Sequence, residues 1–226
     1  MNPLFEAIGN ALGMLFPPKS EILEIVGLSL FVSGCGLILS TCLGLTLGFF
    51  LAQINLSPNR FSTLLVNILH TWMALPAICI GLLVYLFFTR QGPLGSLGLL
   101  YTPQVMILAQ GILATPIVAS LSFVAFKQLG KEVRETILSL GANYLQMVLM
   151  LIKEARFALL AALITAFARI IGETGMTLLV GGNIKGYTRV MTTAIALETM
   201  KGNFELGIAL GIILLIVAFI INFCLQ

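Results

Sequence analysis

The chain has 226 residues, of which 59% are hydrophobic and 9% charged, with a mean hydropathy of +1.08 and a net charge of +3. A soluble domain of this length carries about 25% charged residues, so the composition excludes a water-soluble globular protein and indicates a polytopic membrane protein. No polybasic block points to nucleic acid.

Residues 1–20 form an amphipathic N-terminal segment, with Leu4, Phe5, Ile8, Leu12 and Leu15 at helical spacing before Pro17-Pro18 breaks the pattern. Glu6 and the lack of a basic stretch argue against a cleavable signal peptide. Span 1 covers about 22–53, and its Gly36, Ser40, Gly44 and Gly48 recur every fourth residue as a ridge that lets helix backbones approach in lipid. Span 2, about 61–88, carries Asn67, the single histidine His70, Trp72 and a bend-forming Pro76. His70 reads either as a hydrogen-bonded interface residue or as a proton relay. Span 3, about 103–126, contains Thr115-Pro116, a bend near a conduit or a packing feature. Span 4, about 155–180, stops at Gly181-Gly182-Asn183, and span 5 covers about 204–224. Cys35, Cys42, Cys79 and Cys224 lie in apolar runs without CxxC or Cys/His spacing, so they read as small hydrophobes, and no metal site is expected.

One extended polar interruption stands out. Residues 127–156 hold eight charged side chains: Lys127, Lys131, Glu132, Arg134, Glu135, Lys153, Glu154 and Arg156. A segment leaving a bilayer with this much charge meets water or another protein. Positive charge does not orient the chain. Arg60 and the five bases of 127–156 lie on one side, against Lys19, Arg90, Lys185, Arg189 and Lys201 on the other.

Two constellations carry the functional reading. Glu135-Thr136-Ile137, three residues, then Gly141-Ala142 resembles the EAA motif of ABC-importer permeases; Thr136 and Ile137 replace its alanines. Physically, Gly141 and Ala142 permit a sharp turn, Leu138, Leu140 and Tyr144 offer apolar docking surface, and Glu135 caps or pairs with a neighbouring base. In that family this segment, here 127–154, is a cytoplasmic coupling helix that docks on the ATPase subunit. The second constellation, Arg169 to Arg189 continuing to Glu198, resembles the sulfate/molybdate/tungstate permeases, most of all the tungstate branch. Arg169 and Glu173, one helical turn apart, are each costly alone in a bilayer and are expected to pair. The pair reads either as self-neutralising structure or as a conduit lining in which Arg169 offsets an anion's charge; Arg169, Glu173, Thr177 one turn beyond and Asn183 at the helix stop are the candidate conduit or gate residues.

The resemblance implies an all-α integral membrane protein, a MetI-like type I ABC permease bundle of five core transmembrane helices over residues 21–226. It implies a non-catalytic subunit that imports a tetrahedral oxyanion, tungstate before molybdate or sulfate, as a homodimer. A pair of ABC ATPase subunits would bind ATP and Mg, leaving no cofactor on this chain, and an extracytoplasmic substrate-binding protein would deliver the anion. A cytoplasmic coupling segment implies a multi-pass protein of the cell inner membrane with its N-terminus outside and its C-terminus inside. No GxxxxGK[ST], GxSxG or HExxH appears, so ATP hydrolysis must come from a partner. The different-class alternative, an ion-gradient-driven anion transporter, calls for inverted repeats and mid-membrane coupling residues; no repeat is visible, and Arg169/Glu173 is the only buried ionisable pair.

Overall fold

The computed structural model describes residues 9–13, 20–55 and 60–223. The readings placed on residues 1–8, on Leu15, Pro17-Pro18 and Lys19, and on Cys224 lie outside them. Residues 9–13 are helical. The long elements are α1 (Ser20–Ile54), α2 (Arg60–Ala74), α3 (Ala77–Phe88), α4 (Pro103–Gln128), α5 (Gly130–Ser139), α6 (Tyr144–Glu154), α7 (Arg156–Ile171), α8 (Gly175–Gly181), α9 (Met191–Met200) and α10 (Phe204–Phe223). No strand occurs among the described residues.

Among the described residues three helices, α1, α4 and α10, are long and apolar enough to cross a membrane unaided; α2 with α3 and α7 with α8 bring the number to five if each bent pair is one span. The bend in the second span falls where Pro76 removes a backbone donor, and α3 restarts at Ala77 with Pro76 in extended conformation. Pro116, by contrast, sits inside α4 without ending it. At 1.5 Å per residue α1 is about 50 Å long, more than the ~30 Å hydrocarbon thickness, so it tilts or projects.

The chain divides into two compact units. One contains the chain up to Gly36, Pro76–Gln110, and everything from Ala168 onward; the other contains Leu37–Leu75 and Gly111–Phe167. In the first, α3 lies on α8 so closely that a Cβ added at Gly81 would stand 3.0 Å from Met176, and Gly36 meets Gln110 at the same distance. Met106, Met176, Met191 and Leu210 fill its interior. In the second, the glycine ridge of α1 meets α4: a Cβ at Gly44 would lie 2.7 Å from Val118, and one at Gly48 would strike Ser122 and Ala119. Close approach of backbones is how helices associate where no hydrophobic force separates lipid from protein. Phe49 and Phe126 add an edge-to-face pair at 5.3 Å.

The polar interruption is not an open loop. α5 and α6 form a helical hairpin whose inner face, Ile137, Met147 and Leu151, joins Leu51, Leu69, Phe123 and Leu159 in the core of the second unit. The charges occupy the outer face, so amphipathic periodicity wins over bulk polarity. Arg134 donates a hydrogen bond to Gln53 and ties α5 to the end of α1.

Candidate functional site

Two places gather the residues singled out above. The first is the turn between α5 and α6. Gly141 has φ +83°, a conformation that disfavours side chains. Gly141 N donates to Leu138 O at 3.0 Å and Ala142 N to Ile137 O at 3.4 Å, the paired bonds of a Schellman ending. α6 then starts at once. Gln146 N donates to Asn143 Oδ1 at 2.9 Å while Asn143 N donates to Gln146 Oε1 at 2.8 Å, a reciprocal capping box. Both helix ends are thereby satisfied by the turn's own atoms.

What the turn leaves outward is apolar. Leu140 is 77% exposed and Tyr144 63%, with Leu138 and Leu145 also exposed. Ile137, Leu140, Ala142, Gln146, Leu149 and Met150 line an open groove beside it. Ala142 also packs back onto the core. Glu135 pairs with Lys131 at 3.1 Å on the exposed side of α5. The structure therefore brings Leu138, Gly141, Ala142 and Tyr144 to one turn and puts Glu135 one helical turn away. The asparagine–glutamine box was overlooked in the sequence, although Asn143-x-x-Gln146 is its signature.

The second place is the break between α7 and α8. The fourth span is interrupted at residues 172–174 rather than continuous, so Arg169 ends one helix and Glu173 stands between two. The pair nevertheless forms: Arg169 Nη1 lies 2.6 Å from Glu173 Oε2. Glu173 does more than pair. Its Oε1 accepts from Met176 N at 3.4 Å, and its carbonyl accepts from the hydroxyls of Thr177 and Thr192, each at 3.0 Å. Glu173 N donates to Ile170 O at 3.2 Å, which also receives Gln110 Nε2 at 3.5 Å. Thr192, nineteen residues away on α9, and Gln110 on α4 were not singled out from the sequence. Burial separates the ion pair's partners: the Glu173 side chain is 12% exposed, that of Arg169 45%.

The remaining residues of the second constellation are structural neighbours of this break. Thr177 is buried, its hydroxyl committed to Glu173. Asn183 adopts φ +52° after the αL glycine Gly182, and its Nδ2 donates to Thr193 O at 3.3 Å. The segment beyond is laced with charge. Lys185 lies 2.8 Å and Arg189 3.8 Å from Glu21 at the start of α1. Glu198 accepts from Lys201 at 2.9 Å and Asn203 at 3.0 Å. The Lys201 hydrogen bond holds the Glu198 carboxyl below its ordinary range, against the opposing effect of burial and with help from Asn203 and the charge of Arg189.

A profile of the family described as "Binding-protein-dependent transport system inner membrane component" matches residues 44–226. The chain is 36% identical over 222 residues to the tungstate uptake system permease protein TupB of Peptoclostridium acidaminophilum, covering 98% of this chain and 96% of that one. It is 38% identical over 220 residues to the TupB of Campylobacter jejuni, covering 97% and 91%. Among solved structures, a chain of the inward-facing MetNI methionine ABC transporter superposes with a TM-score of 0.70 at 17% identity, covering 100% of this chain and 95% of that one. At that identity the likeness speaks for the fold, which is the all-helical MetI-like bundle.

Proposed function

The chain belongs to the family of binding-protein-dependent transport system inner membrane components, and from that premise we propose that it is the permease subunit of an ATP-driven importer of tungstate. The observation that carries the substrate is the full-length similarity to two tungstate uptake permeases. The observation that supports the coupling role is the self-capped turn at Gly141 with Leu140 and Tyr144 turned outward. Large exposed side chains beside a groove mark a contact surface rather than a folding requirement.

In this reading two copies form the pathway at their two-fold interface, and a pair of ATPase subunits receives the two α5–α6 turns. The turns then lie in the cytoplasm, with the N-terminus outside and the C-terminus inside. A separate extracytoplasmic protein delivers the anion. Closure of the ATPase dimer on ATP draws the turns together and opens the permease outward; hydrolysis lets it return. Glu135, Leu138, Gly141, Ala142 and Tyr144 serve the coupling. Arg169 serves the pathway. Its side chain is half-exposed within a span, where a charge facing lipid costs a few kcal/mol, so it faces water or the second subunit. Thr177 and Asn183 hold the surrounding backbone.

Reconstitution tests the proposal. Proteoliposomes holding the permease, its ATPase and the binding protein should take up tungstate only with ATP on the ATPase side. Uptake by the permease alone, without the ATPase, would refute it. Gly141→Val, strained at φ +83°, should lower ATPase co-purification severalfold while the permease remains folded; wild-type co-purification would count against the docking role.

A further inference from the structure

We propose that Glu173 is a release residue: by holding one edge of the Arg169 guanidinium it keeps the arginine attractive to a passing oxyanion but unable to retain it. The proposal rests on the reading above that Arg169 faces the pathway. A guanidinium carries five N–H donors in a planar fork that matches the oxygens of a tetrahedral anion two at a time. Left whole in a water-poor passage, that fork would grip a dianion through charge-assisted bidentate bonds. A pathway must bind weakly enough to let go.

The geometry answers that conflict. Glu173 engages only Nη1 of Arg169, at 2.6 Å. The Arg169 side chain as a whole is 45% exposed. The Glu173 side chain is the more buried partner, 12% exposed, which restricts its movement with an anion. One bond anchors the carboxylate itself and three fix the backbone of the same residue. Met176 N holds Oε1, the Thr177 and Thr192 hydroxyls hold the carbonyl, and Glu173 N is bonded to Ile170 O. An anion on the open side therefore meets a fixed dipole rather than a free positive charge, and a dipole's attraction dies away faster with distance. The arrangement differs from a simple helix cap, since the capping bond to Met176 is the longest of the set at 3.4 Å and the bond to Arg169 the shortest.

The test uses the complete permease–ATPase assembly and tungstate as the probe. Tungstate retained by the purified assembly without ATP is measured by equilibrium dialysis, and ATP-dependent uptake is measured in proteoliposomes supplied with the binding protein. Glu173→Gln keeps an oxygen for Met176 N but removes the counter-charge. It should raise retained tungstate roughly tenfold, as expected when one member of a close charge pair is neutralised, and slow uptake by a similar factor. A merely structural role would lower retention and uptake together, and that result overturns the proposal. Unchanged retention, or raised retention with uptake at the wild-type rate, overturns it as well. If Glu173→Gln does not assemble, Glu173→Asp decides in the same assays. Its shorter side chain draws the charge away from Nη1, so retention should rise severalfold, and retention at or below wild type overturns the proposal. Wild-type assemblies that show no ATP-dependent tungstate uptake would instead remove the functional reading itself, and this proposal with it.

Discussion

The α5–α6 turn and the α7–α8 break are both interruptions of helix, and they solve the same problem in opposite ways. Each must satisfy backbone groups that a continuous helix would have paired. The turn does so with its own backbone and one Asn–Gln exchange, all within residues 137–146. This leaves its large side chains free and outward. The break recruits Thr192 and Gln110 from distant segments and commits the side chains of Glu173 and Thr177 inward. An interruption completed locally presents a surface to something else. An interruption completed by the rest of its unit holds that unit together, and only the exposed part of Arg169 is left over.

The largest effect that would break this contrast is expected at the turn. Leu140→Asp puts a charge on a side chain that is 77% exposed, so the fold should be untouched. If the turn is the centre of an interface, association with the ATPase should weaken by ~2 kcal/mol or more, about thirtyfold, as read by co-purification and by titration of the ATPase onto the permease. At the break the converse holds. Arg169→Met strands a mostly buried carboxylate, and the permease alone should lose roughly 2 kcal/mol of stability, discounted from the fully buried case because the arginine is half-exposed. Thermal unfolding in detergent reads this, and an unchanged midpoint would show that Met176 and the threonines suffice to hold Glu173. Asn143→Ala sharpens the picture of the turn. Loss of the cap should cost about 1 kcal/mol, seen as faster hydrogen exchange at the start of α6, with less effect on ATPase binding than Leu140→Asp.

The smallest expected effect lies outside both regions. The Glu198 carboxyl titrates below its ordinary value chiefly because Lys201 bonds to it. A group depressed in the folded state contributes stability above its unfolded pKa and loses that contribution as pH falls through the folded value. Acidification through and below the usual carboxylate range should therefore lower the unfolding temperature of the wild type more than that of Glu198→Gln. Parallel curves would mean that Lys201 and Asn203 do not hold this carboxylate in solution.

Much of the fold was legible because membrane segments advertise themselves. Hydropathy located the long apolar helices α1, α4 and α10, Pro76 marked the break between α2 and α3, and the recurrence of Gly36, Gly44 and Gly48 marked the face of α1 that meets α4. The interruption at 172–174 was hidden inside an apolar run. Its only local signal is Gly172-Glu173-Thr174-Gly175, two glycines around a charge, which reads equally well as a helix with an ion pair. The partners that make it a break, Thr192 and Gln110, are remote in sequence and carry no motif. Residues 127–156 were legible in part: the charges mark an outer surface and the resemblance implied a helix there, whereas the joint burial of Ile137 on α5 with Met147 and Leu151 on α6 depends on how the two helices fold together. The pairing of Arg169 with Glu173 follows from cost alone; which of the two stays exposed does not.

The doubly capped turn also bears on the order in which a transporter is put together. Because the Schellman bonds and the Asn143–Gln146 exchange leave these helix ends satisfied, the turn needs no partner in order to fold. In the proposed reading the permease can be inserted and can wait in the membrane with its docking surface already shaped, and the ATPase can arrive late, leave and be replaced without unravelling it. Expression without the ATPase should then yield a stable permease whose turn resists proteolysis.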